Sequence, residues 1–373
     1  MYMTQIAIDT PFNELPLLPP DFDFDDVEIL KMVNSANLAL SNLNGISKHL
    51  PNRMWLVSPM TVREAVSSSG VENINTTVAD VFEAELFPEL ELSGAKKETS
   101  YYKEALLKGF DLIQKQGFLS TNGIIEIQKV LEPNKSGIRK IPNTKIKSGL
   151  GKDSKTIYYP PEGENVILDK LKNFEQYFNN FENDTEIDPL IKAAILHYQF
   201  EAIHPFLDGN GRTGRILIVL YLVLAQRLDV PILFISDFIL KNRDFYYQVL
   251  NDVTFQKDWK SLVKYFLYAI RIQATTTGIT IFKIQKQMED FKDTLIKKNH
   301  KMLSSDLINF LFSSPMSTYE SMSKALNIHK NTSSKYLNEL VKYGLLDRMK
   351  YKKEVVFINT EFLKILSDPT DNN

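Results

Sequence analysis

The stretch His204-Pro205-Phe206-Leu207-Asp208-Gly209-Asn210-Gly211-Arg212-Thr213-Gly214-Arg215 runs straight into the apolar segment Ile216 to Ala225. A glycine turn that opens a buried helix aims several backbone N–H groups at one spot, where the helix dipole favours negative charge. Arg212 and Arg215 lie three apart and so share one face of the first helical turn. Guanidiniums grip phosphate in bidentate fashion. Asp208 adds a hard oxygen ligand of the kind that holds Mg2+ against substrate phosphates. His204 takes up a proton near neutral pH, as a general base must. Gly-Asn-Gly alone is an ordinary turn, and a single histidine is usually structural. Arginines early in a helix, however, oppose the dipole, which a purely structural design avoids. That misfit points to an anionic partner. The spacing is neither a Walker A loop nor the Gly-x-Gly-x-x-Gly fingerprint. The sum is a polyphosphate cradle with a base at its rim.

These residues fill every position of His-x-Phe-x-(Asp/Glu)-Gly-Asn-Gly-Arg-x-x-Arg, and the stretch resembles the signature of Fic-domain proteins. The resemblance implies a mainly α fold, with a helical core and a short β-hairpin flap. It also implies transfer of AMP from ATP onto a Ser, Thr or Tyr hydroxyl of a target protein. His204 is then the base and Asp208 the Mg2+ ligand. Gly209, Asn210 and Gly211 cradle the phosphates, within a nucleotide-binding turn that continues through Thr213 and Gly214. Arg212 and Arg215 hold the outer phosphates, and Phe206 anchors the loop from beneath.

Upstream, Ser68-x-x-x-Glu72-Asn73 resembles the inhibitory motif Ser/Thr-x-x-x-Glu-(Gly/Asn) of Fic proteins that restrain themselves. The plain structural reading is a helix with capping serines, interrupted by Gly70 and Asn73. The resemblance implies a helix that presents Glu72 to Arg215. A carboxylate there takes the place of the outermost phosphate, so ATP binds only in an unreactive pose.

With 373 residues, 43% hydrophobic and 24% charged, the composition is that of a soluble globular protein with room for two or three domains. A net charge of -2 gives no global pull toward nucleic acid or membrane. The absence of cysteine excludes disulfides, thiolate metal sites and cysteine nucleophiles. The start reads as no signal peptide, and the longest apolar run is shorter than the roughly 20 residues a bilayer requires. The expectation is a cytoplasmic protein that makes no membrane contact.

Taken in order, the proline-rich stretch Leu15 to Pro20 and the acidic patch Asp21 to Asp26 read as an extended segment wrapping the body. Helical periods follow over Val27 to Leu50, Thr77 to Phe87, Tyr101 to Gln116 and Ile124 to Leu131. The punctuated, basic stretch 138–158 reads as a short hairpin. By resemblance it is the flap, whose strand edge pairs with an extended target segment. Val166 to Phe181 and Leu190 to Ala202 are helices, the second started by Asp188-Pro189 and apolar on most faces. His197 reads as a core histidine. By resemblance Asn242 contacts the nucleotide, with Tyr246 or Tyr247 nearby.

Trp259 to Ile272 closes the body, and Gln273 to Lys301 reads as a connecting helix. Beyond it, helices at Leu303 to Phe312, Ser317 to Leu326 (capped by Ser317) and Asn331 to Tyr343 precede strands at Leu345 to Lys350 and Glu354 to Asn359. Their order resembles a winged helix-turn-helix domain. The expected segments are 1–100 with the inhibitory motif, 101–272 as the catalytic core, 273–301 as the connector and 302–373 as the winged domain. Contact with DNA or with protein through 302–360 stays open, as does a homodimer. Two rival functions also stay open: a nucleotide-sensing DNA-binding regulator, and an enzyme that removes AMP with Glu72 orienting a water.

Overall fold

The computed structural model describes residues 9–48, 53–88, 94–148, 155–181, 187–351 and 354–368. Leu50, the flap tip 149–154, Lys352 and Lys353 lie outside the described residues. The chain builds two compact units, each from two stretches: Met1–Asn44 with Glu104–Ala274, and Gly45–Lys103 with Thr275–Asn373. The helices begin with α1 (Val27–Lys48), α2 (Arg53–Val71), α3 (Val78–Leu86), α4 (Gly94–Gln116) and α5 (Thr121–Leu131). The expected hairpin is β1 (Ile146–Ser148) against β2 (Lys155–Tyr158), antiparallel, with a bulge between Ile146 and Lys147.

The first unit is centred on a pair of helices, α7 (Pro189–Ile203) and α8 (Asn210–Leu224), with α6 (Glu164–Asn179) against α7 and α5 against α8. Asp188 caps α7 by accepting from the Leu190 amide at 2.8 Å, and Pro189 stands at the first helical position. Nearly every side chain of α7 is buried, as an all-round apolar helix requires. α7 and α8 approach closely because Gly214 has no side chain. A Cβ there would lie 2.4 Å from Glu201 Oε1 and 3.2 Å from Phe200 Cδ1. The N-terminal stretch wraps this unit as expected. Phe12, Leu15, Leu18 and Phe24 are buried. Phe12 N–H donates to the Tyr159 carbonyl, and Asn173 exchanges two hydrogen bonds with the Leu18 backbone. Helices α9 (Ser236–Lys241) and α10 (Arg243–Gln256) follow.

The expected closing helix and connector are one continuous 41-residue helix, α11 (Trp259–Asn299). Gln273 to Lys301 contains no proline, and Gly278 alone is too weak a break to stop a helix.

In the second unit, α2 packs on α3, and both meet the C-terminal elements. These are α12 (Ser305–Ser313), β3 (Met316–Ser317), α13 (Tyr319–Leu326), α14 (Lys330–Lys342), β4 (Asp347–Tyr351), β5 (Glu354–Ile358) and α15 (Thr360–Ser367). The strands form an antiparallel sheet in the order β3-β5-β4. α12 and α15 pack on α2, and α15 and β3 on α3. Tyr351 stacks on Phe87 with centroids 5.4 Å apart and donates its hydroxyl to Glu83. Gly344 closes α14 at φ 72°, as its sequence position predicts. Ser317 is not the cap of α13. It lies in β3, and Thr318 caps the helix through a reciprocal box with Ser321. Among the described residues no helix is long and apolar enough to cross a membrane.

Candidate active site

The site begins where α7 stops. His204 takes the left-handed conformation, φ 48° and ψ 58°, and its amide still donates to the Phe200 carbonyl at 3.0 Å. Left-handed backbone is costly for a residue with a Cβ, so the surroundings must hold it. They do so from two sides. Phe206 is fully buried below the turn, its ring against Phe200. Asn210 brackets the Phe206 backbone, accepting from its N–H and donating to its carbonyl, both at 2.9 Å. The Asn210 side chain therefore fastens the loop, and any phosphate contact at this position falls to its backbone amide.

Gly209 opens α8 at φ 77°, and a Cβ there would lie 3.1 Å from Glu132 Cγ. Both facts favour glycine. The first amides of α8 have no partner within the helix and face the turn. Asp208 is half-buried at the rim. Its carboxylate accepts from the Gly209 amide at 2.8 Å and from Lys135 Nζ at 2.5 Å, with Arg212 at 3.6 Å. Burial works to raise its pKa. Lys135, the Gly209 amide and Arg212 outweigh burial and hold the carboxyl below its ordinary range. Arg212 is buried, and its guanidinium meets Glu132 at 2.6 Å. Arg215 is buried too. His197 lies near enough that burial first, and the Arg215 charge second, drive its pKa down to about 3. His197 is thus a neutral core histidine, bonded to the Tyr246 hydroxyl at 2.9 Å. Thr213 is buried, and Gly214 lies against Phe200 and Glu201 of α7.

Asn242 stands exposed at the junction of α9 and α10, with its side-chain amide on the Phe238 carbonyl. Tyr246 is buried against His197, whereas Tyr247 is half-buried beneath Arg243, whose guanidinium carbon is 5.7 Å from the ring centroid. One signature turn thus carries His204, Asp208 and Gly209 to Arg215.

Glu132, Lys135, Gln128 and Arg139 complete the site without having been read as site residues. Gln128 donates to the Asp208 carbonyl at 3.1 Å, and Arg139 donates to the His204 carbonyl at 2.7 Å. A buried glutamate and arginine need partners. The sequence signal for them is two charges, Glu132 and Arg139, flanking a turn-rich stretch that leads into the flap.

The residues fit a magnesium ion held through one carboxylate and substrate phosphates, because Asp208 is kept ionised at the cradle's edge. Among the described residues no cluster of three or more acidic or histidine side chains forms a protein-only metal cage. Lys135 occupies one Asp208 oxygen, so a bound ion shares the carboxylate with it or displaces it.

The inhibitory motif belongs to the second unit. Ser68 is buried in α2, which ends at Val71, one residue before Glu72. Asn73 N–H donates to the Gly70 carbonyl at 3.0 Å, and Ile74 N–H to the Ser69 carbonyl at 2.9 Å. Asn73 stands at φ 63°. These are the two bonds of a Schellman ending, with Asn73 as its left-handed residue. The Gly/Asn at the motif's last position thus has a physical reason, since those residues tolerate that conformation. Glu72 is exposed on the cap.

Family models agree with this architecture. Residues 30–111 match "Fic/DOC family N-terminal", residues 118–222 match "Fic/DOC family", and residues 287–362 match "Protein adenylyltransferase SoFic-like, C-terminal domain". Over 65 residues the chain is 38% identical to the protein adenylyltransferase fic-1 of Caenorhabditis elegans, covering 17% of this chain and 13% of that protein. The protein adenylyltransferase Fic of Drosophila virilis is 41% identical over 66 residues, 18% of this chain and 13% of that protein. The chain therefore spans about an eighth of these relatives' length. A Fic family protein from Desulfovibrio desulfuricans shares the fold, with a TM-score of 0.54 at 18% identity over 91% of this chain and 98% of that one. So does Fic-1 of C. elegans (residues 134–508), with a TM-score of 0.51 at 20% identity over 69% of this chain and 73% of that one. With its signature turn, helical core and three matching segments, the chain belongs to the Fic/DOC family.

Proposed function

We propose that this protein transfers AMP from ATP to a Ser, Thr or Tyr hydroxyl of a target protein. The observation that carries the reading is the signature turn: a base in forced left-handed geometry, an ionised carboxylate and the free end of a helix stand within one loop. His204 takes the proton of the target hydroxyl, whose oxygen attacks the α-phosphorus of ATP. The bond from the α-phosphorus to the bridging oxygen breaks, and pyrophosphate leaves. The amides that open α8, with Arg212 and Arg215, stabilise the charge that develops on the phosphates. Mg2+, when held by Asp208, neutralises phosphate charge. Asn242 and Tyr247 border the base of the nucleotide, and the hairpin β1–β2 receives the target segment along its strand edge.

Glu72 restrains the enzyme as an inhibitory carboxylate, and the support is the motif Ser68-x-x-x-Glu72-Asn73 together with its exposed cap. The C-terminal elements serve as a winged-helix docking module. Mass spectrometry after incubation with ATP and Mg2+ tests the reading. It should find an AMP adduct on a hydroxyl side chain, absent in His204→Ala. A phosphate adduct or none in any variant would overturn it.

A further inference from the structure

We propose that Arg139 is a positioning residue that locks the catalytic histidine and the flap into one frame. The proposal rests on the AMP-transfer reading above for its catalytic consequence. A helix ends with carbonyls that lack partners inside it, and a cation there also suits the dipole. At the end of α7 three successive carbonyls are met by side chains that flank the hairpin. Tyr158, the last residue of β2, donates its hydroxyl to the Ala202 carbonyl at 2.8 Å. Arg139 Nη2 donates to the Ile203 carbonyl at 3.5 Å, and its Nε to the His204 carbonyl at 2.7 Å. The same Nη2 donates to the Pro161 carbonyl, just past β2. The Arg139 amide donates to the Pro205 carbonyl at 2.9 Å, and Ile138 bridges Phe206. Both ends of the flap are therefore tied to the backbone that forces His204 left-handed.

The guanidinium is buried, as is the Tyr158 hydroxyl, so water does not substitute for either. A lysine cannot reproduce the fork, because it offers a point charge where Arg139 spans three carbonyls. The Arg139 guanidinium itself bonds to no residue of the phosphate cradle, which the opening of α8 supplies. Loss of Arg139 should therefore move the base relative to the docked hydroxyl and leave nucleotide binding intact.

The test compares Arg139→Gln, Arg139→Lys and Tyr158→Phe in the Glu72→Gly background. It measures kcat for AMP transfer, the Kd for ATP by calorimetry, and amide hydrogen exchange. Arg139→Gln should lose about a hundredfold in kcat, the cost of misplacing a reacting group by an ångström, with Kd within about twofold of the parent. Arg139→Lys should recover part of that loss, and Tyr158→Phe should lose less than Arg139→Gln. Exchange in Arg139→Gln should accelerate together in 138–148, 155–161 and 200–207. Two results overturn the proposal: parental kcat in Arg139→Gln, or a Kd that weakens by the same factor as kcat falls. If the parent itself transfers no AMP, the functional reading fails instead. Exchange then decides the clamp alone: joint loss of protection upholds it, and unchanged protection overturns it.

Discussion

Among the helix ends that carry a left-handed residue other than glycine, two are held differently. α7 ends on His204 at φ 48°, and the turn beyond α2 carries Asn73 at φ 63°. Beyond α2 the orphan carbonyls of Ser69 and Gly70 are closed by amides three to five residues away in the same chain segment. At α7 the carbonyls of Ala202, Ile203 and His204 are closed by side chains from positions 139 and 158. A locally closed end can open and re-form without disturbing anything distant. An end closed by buried side chains from elsewhere opens only if the flap moves with it. The contrast suits the two roles proposed above: a base needs fixed geometry, and a restraint must be releasable.

The sharpest way to break this comparison is to remove the base. His204→Ala should lower AMP transfer by about 10²–10⁴-fold while leaving ATP binding in place, read by transfer kinetics beside calorimetry. Next is the bracket that supports the α7 end. Asn210→Ala leaves the buried Phe206 N–H and carbonyl without their partners. It should cost about 2–5 kcal/mol in stability, seen as a lowered melting temperature together with lost transfer. The neutral histidine behind α8 gives a pH test. The His197 pKa is about 3 in the fold and near 6.5 in the unfolded chain, so between these values the unfolded state binds the extra proton. His197 therefore withdraws stability as the pH falls below about 6.5. The melting temperature of His197→Gln should decline less steeply than wild type between about pH 6.5 and 5. The smallest effect belongs to the local end. Asn73→Gly should be near neutral, whereas Asn73→Ala should cost about 1 kcal/mol at the cap and raise basal transfer about fivefold.

Much of this was legible in the residues. The signature turn, the buried helix behind it, the hairpin and the wrapping N-terminal stretch follow from local pattern. The chemistry proposed for the turn rests on the spacing of His204, Asp208, Arg212 and Arg215. What the pattern could not supply is partnership across distance. Glu132 and Arg212 are 80 positions apart, and Arg139 and His204 are 65 apart. Nothing local marks such pairs beyond a charge in a turn-rich stretch. The fusion of connector and closing helix into α11 escaped because a drop in hydrophobicity mimics a boundary where the backbone has no reason to break. Thr318 took the cap from Ser317 because β5 claims Ser317 as a strand partner, a tertiary contact that local capping preference does not encode.

The most direct test of the central claim is transfer of α-labelled ATP to protein with Mg2+ present. It compares wild type, Glu72→Gly, and Glu72→Gly combined with His204→Ala. The account predicts faint wild-type labelling, a sharp rise in Glu72→Gly and none in the double variant. If Glu72→Gly labels neither itself nor any protein in a cell lysate, the claim of AMP transfer is contradicted.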